Sequence, residues 1–305
     1  MIGLTKIREL NLSASAAAGR PAYLSAASGL VCVKSLIYVI ADDELHLGVF
    51  RTDDVRPGHL IRLFEGTLPE PKSARKEQKP DLEALTLLPA FGNFPHGALF
   101  ALGSGSRRNR RIGALVGLDV EGFVDGVPQA VDLSPLLAPL DDAFAALNIE
   151  GAVVKGDELR LFQRGNKSHG ENAIVRFGLS PVLDALKSGR AAAIEPIAIH
   201  YFDLGQIDGI PFSFTDAAVL PTGDMIFTAV AEDTNDVYND GPCKAAAIGM
   251  AEESGVLRWL RRLDRPCKVE GVDAQVAGGV IRLLLVTDDD NIDVPSGLFS
   301  ASTET

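Results

Sequence analysis

One pattern constrains this chain more than any other: an acid, a small residue and an apolar run. It recurs at Glu83-Ala84-Leu85, Glu150-Gly151-Ala152, Asp216-Ala217-Ala218 and Glu270-Gly271-Val272. The anchors stand 67, 66 and 54 residues apart, and Ser28-Gly29-Leu30 fits 55 residues before Glu83 with serine in the acid's place. After each anchor come a turn and a second apolar strand, at Leu36–Ala41, Ala98–Leu102, Leu159–Phe162, Met225–Ala229 and Val280–Thr287. Each second strand runs into a polar loop, and a third and a fourth strand then lead toward the next anchor. Units of four short strands at this spacing are the mark of propeller blades. The fifth unit runs out of chain before its fourth strand, and Leu4–Leu12, which has no unit of its own, is free to supply it. Closing the ring in this way removes exposed sheet edges. The expectation is an all-β chain, a single β-propeller domain over residues 1–305 with five four-stranded blades. A sixth, degenerate blade in the long spacers is the alternative.

Helical signals are minor. Ser134–Leu147 reads as containing a short helix with Ser134 as N-cap and Pro135 at the first helical position, and Pro181–Lys187 reads as another. The stretch Pro69–Pro80, rich in Lys and Arg, reads as an exposed, solvated loop.

Composition enters where partners are concerned. Lys plus Arg is 29 against 41 Asp plus Glu, a formal −12, which argues against a nucleic-acid or anionic-membrane surface. No window approaches the ~18 apolar residues of a membrane helix, and the N-terminus lacks an apolar leader core, so a cytoplasmic protein is expected. Cys32, Cys243 and Cys267 lack zinc or disulfide-framework spacing, although a Cys243–Cys267 bridge stays open.

In a propeller the first strand of each blade lines the channel, and its start shares one end with the loop after the second strand. Glu83, Glu150, Asp216 and Glu270 are therefore expected at one mouth, ringed by Asp42, Asp43, Glu232, Asp233 and Asp288–Asp290. Carboxylates this close need a counter-charge. An oxygen-only donor set with little histidine favours a hard cation, Ca²⁺ or Mg²⁺, and Ser28, Asn148, Asn166 and Asn235 are further oxygen donors. The same acids can instead cap strand starts and tie blades together, or pair with Arg107, Arg108, Arg110, Arg111, Arg164 and Lys167 in the neighbouring loops. Calcium-loop, nucleophile-elbow and nucleotide-binding motifs are incomplete or absent.

The strings Pro80-Asp81-Leu82-Glu83-Ala84-Leu85-Thr86, Asn148-Ile149-Glu150-Gly151-Ala152 and Lys268-Val269-Glu270-Gly271-Val272 resemble blade motifs of bacterial phytase-like propellers. That wider group includes the SdiA-regulated propellers and, more distantly, the gluconolactonase/regucalcin group. Glu232-Asp233-Thr234-Asn235-Asp236, with Tyr238-Asn239-Asp240-Gly241, looks like a bacterial family of unknown function within it. The resemblance implies a propeller with a cation at the channel mouth, although five blades depart from the six usual in the better-known relatives.

The functional expectation is a metal-dependent hydrolase of a small anionic substrate, a phosphoester or a lactone. Glu83, Glu150, Asp216 and Glu270 would hold Ca²⁺ or Mg²⁺. Arg110, Arg164, Asn166 and His169 would bind substrate, and Glu232 or Asp233 would act as general base. The alternative is a non-catalytic binding or interaction propeller whose metal is structural or absent.

Overall fold

A computed structural model describes residues 1–17, 19–189, 192–234, 241–252 and 254–304. Asn235 to Asp240, which belong to the motif read above, lie outside the described residues.

The chain forms five antiparallel blades around one axis. The leading strand β1 (Thr5–Glu9) is set aside for the last blade. Blade one is β2 (Ala27–Val33), β3 (Leu36–Ala41), β4 (His46–Arg51) and β5 (His59–Arg62). Helix α1 (Lys72–Gln78) follows, then blade two with β6 (Leu82–Leu88), β7 (Ala98–Gly103), β8 (Ile112–Gly117) and β9 (Gln129–Asp132). After α2 (Ser134–Leu137) comes blade three, with β10 (Ile149–Lys155), β11 (Glu158–Gln163), β12 (Asn172–Gly178) and, beyond α3 (Leu179–Ser188), β13 (Ala198–Phe202). Blade four adds a short β14 (Gln206–Ile207) to β15 (Ile210–Val219), β16 (Met225–Glu232), β17 (Cys243–Ala251) and β18 (Leu257–Arg262). Blade five is β19 (Val269–Ala277), β20 (Val280–Thr287), β21 (Gly297–Glu304) and β1. Thr5 pairs with Ser300 and Glu9 with Gly297, so the two ends of the chain close the ring as expected.

The second strand of each blade is the driest, because a neighbouring blade covers each of its faces. In β3 (LIYVIA) and β7 (ALFALG) all six residues are buried. The apolar core accordingly divides into five clusters, each spanning the interface of two adjacent blades. Phe162 from blade three meets Phe214 edge-on at 5.2 Å, and Phe214 meets Phe227 at 4.8 Å.

The repeated anchor has a backbone cause. Every innermost strand carries a β-bulge, at its second residue in four blades and mid-strand in β15, where Ser28, Glu83, Glu150, Thr215 and Glu270 are the extra residues. A bulge adds one residue and re-aims its side chain. In four of the five blades the next residue is glycine or alanine, and neighbouring inner strands touch there through their backbones. A Cβ on Gly151 would sit 3.1 Å from the Ala217 nitrogen, and one on Gly271 would sit 3.1 Å from the Gly29 carbonyl carbon.

This register corrects one expectation. In blade four the bulged residue is Thr215, and Asp216 takes the position filled by Gly29, Ala84, Gly151 and Gly271 elsewhere. Two helix readings also shift. Leu133, not Ser134, caps α2, which is only four residues long and continues as a 3₁₀ turn at Ala138–Leu140. Helix α3 starts two residues earlier than read and ends at Gly189, whose φ of 62° suits a left-handed cap. Pro69–Pro80 is not a plain exposed loop, since α1 forms there and Arg75 and Lys79 are buried. All three cysteines are free thiols. Among the described residues no helix is long and apolar enough to cross a membrane.

Candidate functional site

The five bulges split by chemistry. Ser28 Oγ donates to the Leu82 carbonyl at 2.5 Å, and Thr215 Oγ1 donates to the Val269 carbonyl at 2.6 Å. Each acceptor immediately precedes the bulge of an adjoining blade, so these two hydroxyls are equivalent staples between blades. The other three bulges place Glu83, Glu150 and Glu270 in a pocket of about 70 Å³ at the axis. The structure thus brings together three of the four expected acids. Asp216 lies within the closed ring at 0% exposure. Its Oδ2 accepts the Val272 N–H of blade five at 2.8 Å, and the backbone N–H groups of Ala217 and Leu30 also favour its charged form. It pins blade five to blade four, and its Oδ1 is buried without a hydrogen-bond partner among the described residues. Burial outweighs these bonds and holds its pKa well above the ordinary aspartate value.

Two residues ahead of three of the bulges stand Asp81, Asn148 and Lys268, which also line the pocket. Asp42, Arg164 and Asp288 enter from the ends of second strands, and Glu232 from the longer β16. Eight carboxylates and five basic side chains line the pocket in all, so acids outnumber bases there by three.

The pairing is extensive. Arg164 contacts Glu150 at 3.1 Å, Glu270 at 3.8 Å and Glu232 at hydrogen-bond range. These acids outweigh the cost of burial and raise its pKa well above the ordinary arginine value. Lys268 contacts Asp290 at 2.6 Å and stands 3.8 Å from Glu270. Arg110 Nη1 bonds Asp81 at 2.7 Å and Ser106 Oγ at 2.9 Å, while Nη2 donates to the Lys76 carbonyl at 3.1 Å. Lys79 pairs with Asp42 and, at 2.9 Å, with Asp81. Burial alone would lower the Lys79 pKa, but Asp42, Asp81 and Glu83 hold it well above the usual lysine value. The two arginines expected to clamp an anion are therefore occupied by carboxylates.

Glu83 differs from its neighbours. It is half-buried, and its carboxylate makes no hydrogen bond or ion pair with any described residue. Oxygen atoms of Asp42, Asp81 and Glu83 lie within 4.8 Å of one another. Burial, followed by the charges of Glu150, Asp81 and Asp42, holds the Glu83 carboxyl well above its ordinary pKa. Burial likewise raises Glu270, more than Lys268 and Arg164 lower it. Asp81 supplies its carboxylate from a left-handed backbone (φ 57°), a conformation aspartate tolerates better than most residues.

The other expected site residues are placed as follows. Glu232 lines the mouth, but Arg164 and the Gly241 N–H, at 2.6 Å, hold its two oxygens. Asp233 lies outside the pocket, paired with Lys167 at 2.9 Å on the surface. Asn166 lines the mouth, and its Oδ1 caps the Ser168 and His169 N–H groups at 2.9 and 2.8 Å. His169 itself is exposed and not part of the lining. Asp81, Lys79 and Lys268 were missed as site residues. Only Asp81 and Lys268 carry a sequence signal, their common offset of two residues before a bulge.

Comparison with known proteins follows the fold. A family model described as "Family of unknown function (DUF6929)" matches residues 23–302. No curated protein matches the sequence. Among solved structures, the glutaminyl cyclase of Myxococcus xanthus is 10% identical, with a TM-score of 0.50, covering 100% of this chain and 98% of its own. A gluconolactonase from Xanthomonas campestris is 9% identical (TM-score 0.39), covering 99% of this chain and 97% of its own. A Kuenenia stuttgartiensis hydrazine synthase is 10% identical (TM-score 0.42), with 96% of this chain spanning 66% of that one. At such identities the likeness is one of fold alone. The resemblance to phytase-like and SdiA-regulated propellers rests on the short motifs only.

Proposed function

The chain belongs to this family of unknown function, and from that premise we propose that its axial mouth is a divalent-cation centre of Asp42, Asp81 and Glu83. The observation that carries the reading is Glu83, a half-buried carboxylate without a bonding partner among the described residues, placed against two further acids. Such an arrangement is costly unless a positive charge joins it. The donors are all oxygen, which fits Ca²⁺ or Mg²⁺ and not a soft metal. The axial pocket, about 70 Å³, suits an ion with a few waters better than an organic molecule. Asp216, expected as a ligand, has no part in this reading.

A cation there would supply Lewis acidity toward a carbonyl or phosphoryl oxygen. This supports the reading of a metal-dependent hydrolase acting on a small anionic phosphoester or lactone. Glu150 and Glu270, whose carboxyls burial pushes above the ordinary range, are the candidate general bases. Glu232, held by Arg164 and Gly241, keeps the guanidinium in place. The second reading, a binding propeller without catalysis, is favoured by Lys79: its ammonium already neutralises Asp42 and Asp81 as a built-in cation.

Thermal unfolding with Ca²⁺, Mg²⁺ or EDTA separates the two. A cation-dependent rise that Glu83→Gln abolishes supports the centre, and a panel of phosphoesters and lactones then tests hydrolysis. No cation-dependent rise in the wild type would overturn the metal reading.

A further inference from the structure

Beside the axial pocket lies a second cavity of about 210 Å³, roofed by α1 and floored by the loops of blades one and five. The two share Asp42, Lys76, Lys79, Asp288 and Asp290 as a common wall. One residue of this cavity is electrostatically out of place. Arg75 is only 7% exposed, yet its one side-chain hydrogen bond among the described residues goes to a neutral acceptor, the Asp43 carbonyl, at 2.8 Å. Its Nε is buried without a partner among the described residues. The nearby carboxylates pair with other cations, Asp43 Oδ2 and Glu44 with Arg20 at 2.9 and 2.7 Å and Asp42 with Lys79, while Asp43 Oδ1 is buried without a partner among the described residues. Burial, and then the like charge of Arg20, push the Arg75 pKa down, the opposite of what happens to Arg164 among its acids.

A guanidinium offers five donors in a fork matched to planar and tetrahedral oxyanions. To bury that fork against one carbonyl oxygen is unfavourable unless a ligand completes it. We propose that the cavity beneath α1 is an oxyanion subsite, in which Arg75 receives the phosphate or carboxylate group of a small molecule. The inference rests on the cation reading only for the identity of the neighbouring site. It assigns the anion-binding role expected of Arg110 and Arg164, which already pair with carboxylates, to a residue whose side chain meets no carboxylate partner among the described residues. The shared wall places the anion beside the cation centre, and the cavity's larger volume gives room for the rest of the molecule.

The test uses inorganic phosphate and, separately, malonate as probes, each titrated against the whole protein with EDTA or with Mg²⁺ while thermal unfolding is followed. The wild type is expected to gain several degrees from at least one probe. Arg75→Gln should weaken that probe's binding by about tenfold or more, and Arg75→Lys by less. Ala26→Leu, which fills the cavity without altering Arg75, should weaken it also. Both Arg75→Gln and Ala26→Leu should keep the Mg²⁺ response. A probe response that persists in Arg75→Gln, or no response of the wild type to either probe, overturns the subsite. A probe response without any cation response would leave the subsite standing and overturn the cation centre instead.

Discussion

Replacing Glu83 with glutamine should make the metal-free protein more stable and the metal-treated protein less so. The oxygens of Asp42, Asp81 and Glu83 lie within 4.8 Å of one another. At that separation two like charges repel by about 3–4 kcal/mol at an effective dielectric of about 20. Glu83 is acted on by three carboxylates, Glu150, Asp81 and Asp42, against one opposing ammonium, Lys79, so repulsion is left over. Partial exposure of the Glu83 side chain screens this repulsion and reduces the cost to about 1–2 kcal/mol. For a chain of this length that is a gain of roughly 2–4 °C in EDTA. With Ca²⁺ in excess the wild type is stabilised by mass action, by about 2.7 kcal/mol when the ion stands at a hundred times its Kd, and the variant is not. The order of the two melting curves should therefore invert between EDTA and Ca²⁺. A variant less stable than wild type in EDTA, or one that keeps the full Ca²⁺ response, would refute the reasoning.

Three further outcomes follow from the same geometry. Lys79→Met strips Asp42 and Asp81 of their ammonium; it should cost about 3 kcal/mol in EDTA and give a larger Ca²⁺ response than wild type in calorimetric unfolding, and an equal or smaller response would show that lysine and metal do not compete. Thr215→Val removes the hydroxyl that reaches the Val269 carbonyl and stands 2.9 Å from Thr228 Oγ1. Leaving a buried acceptor unpaired should lower urea stability by about 1–3 kcal/mol, and a neutral result would dismiss the staple. Asp216 has a folded pKa above its unfolded value near 3.9, so its folded form binds the extra proton. Its contribution is complete below the unfolded value and declines as pH rises toward the folded one, at up to about 1.4 kcal/mol per pH unit. The amide of the Asp216→Asn variant does not titrate, so the stability of wild type relative to that variant should fall with rising pH across that window; a gap that widens in favour of wild type would reverse the sign.

Much of the fold was legible along the chain because a propeller repeats its local rules. Alternating apolar runs, turns and a small residue at each inner-strand start give five blades, and the missing fourth strand of the fifth unit points to the N-terminus. Glu83, Glu150 and Glu270 were found for the same reason, since each sits on a bulge that the pattern marks. Asp216 was misplaced because a bulge is a property of strand pairing. In blade four the acid falls one residue late, and only the pairing of Phe214 with Ala229 and Asp216 with Thr228 shows that Thr215 is the extra residue.

The rest of the site was decided by contacts between distant segments. Pro69–Pro80 is polar enough to pass for a solvated loop. Its Lys79 is buried because Asp42, 37 residues away, meets it across the mouth. Arg110 and Arg164 had the chemistry of anion clamps, but whether a guanidinium is open depends on which carboxylates reach it first. By itself the sequence determined the architecture and the end of the channel where charge collects, since both follow from a local period. Only the tertiary structure decided which charges cancel and which remain open, because electrostatic energy depends on separation and burial, neither of which can be read along a chain.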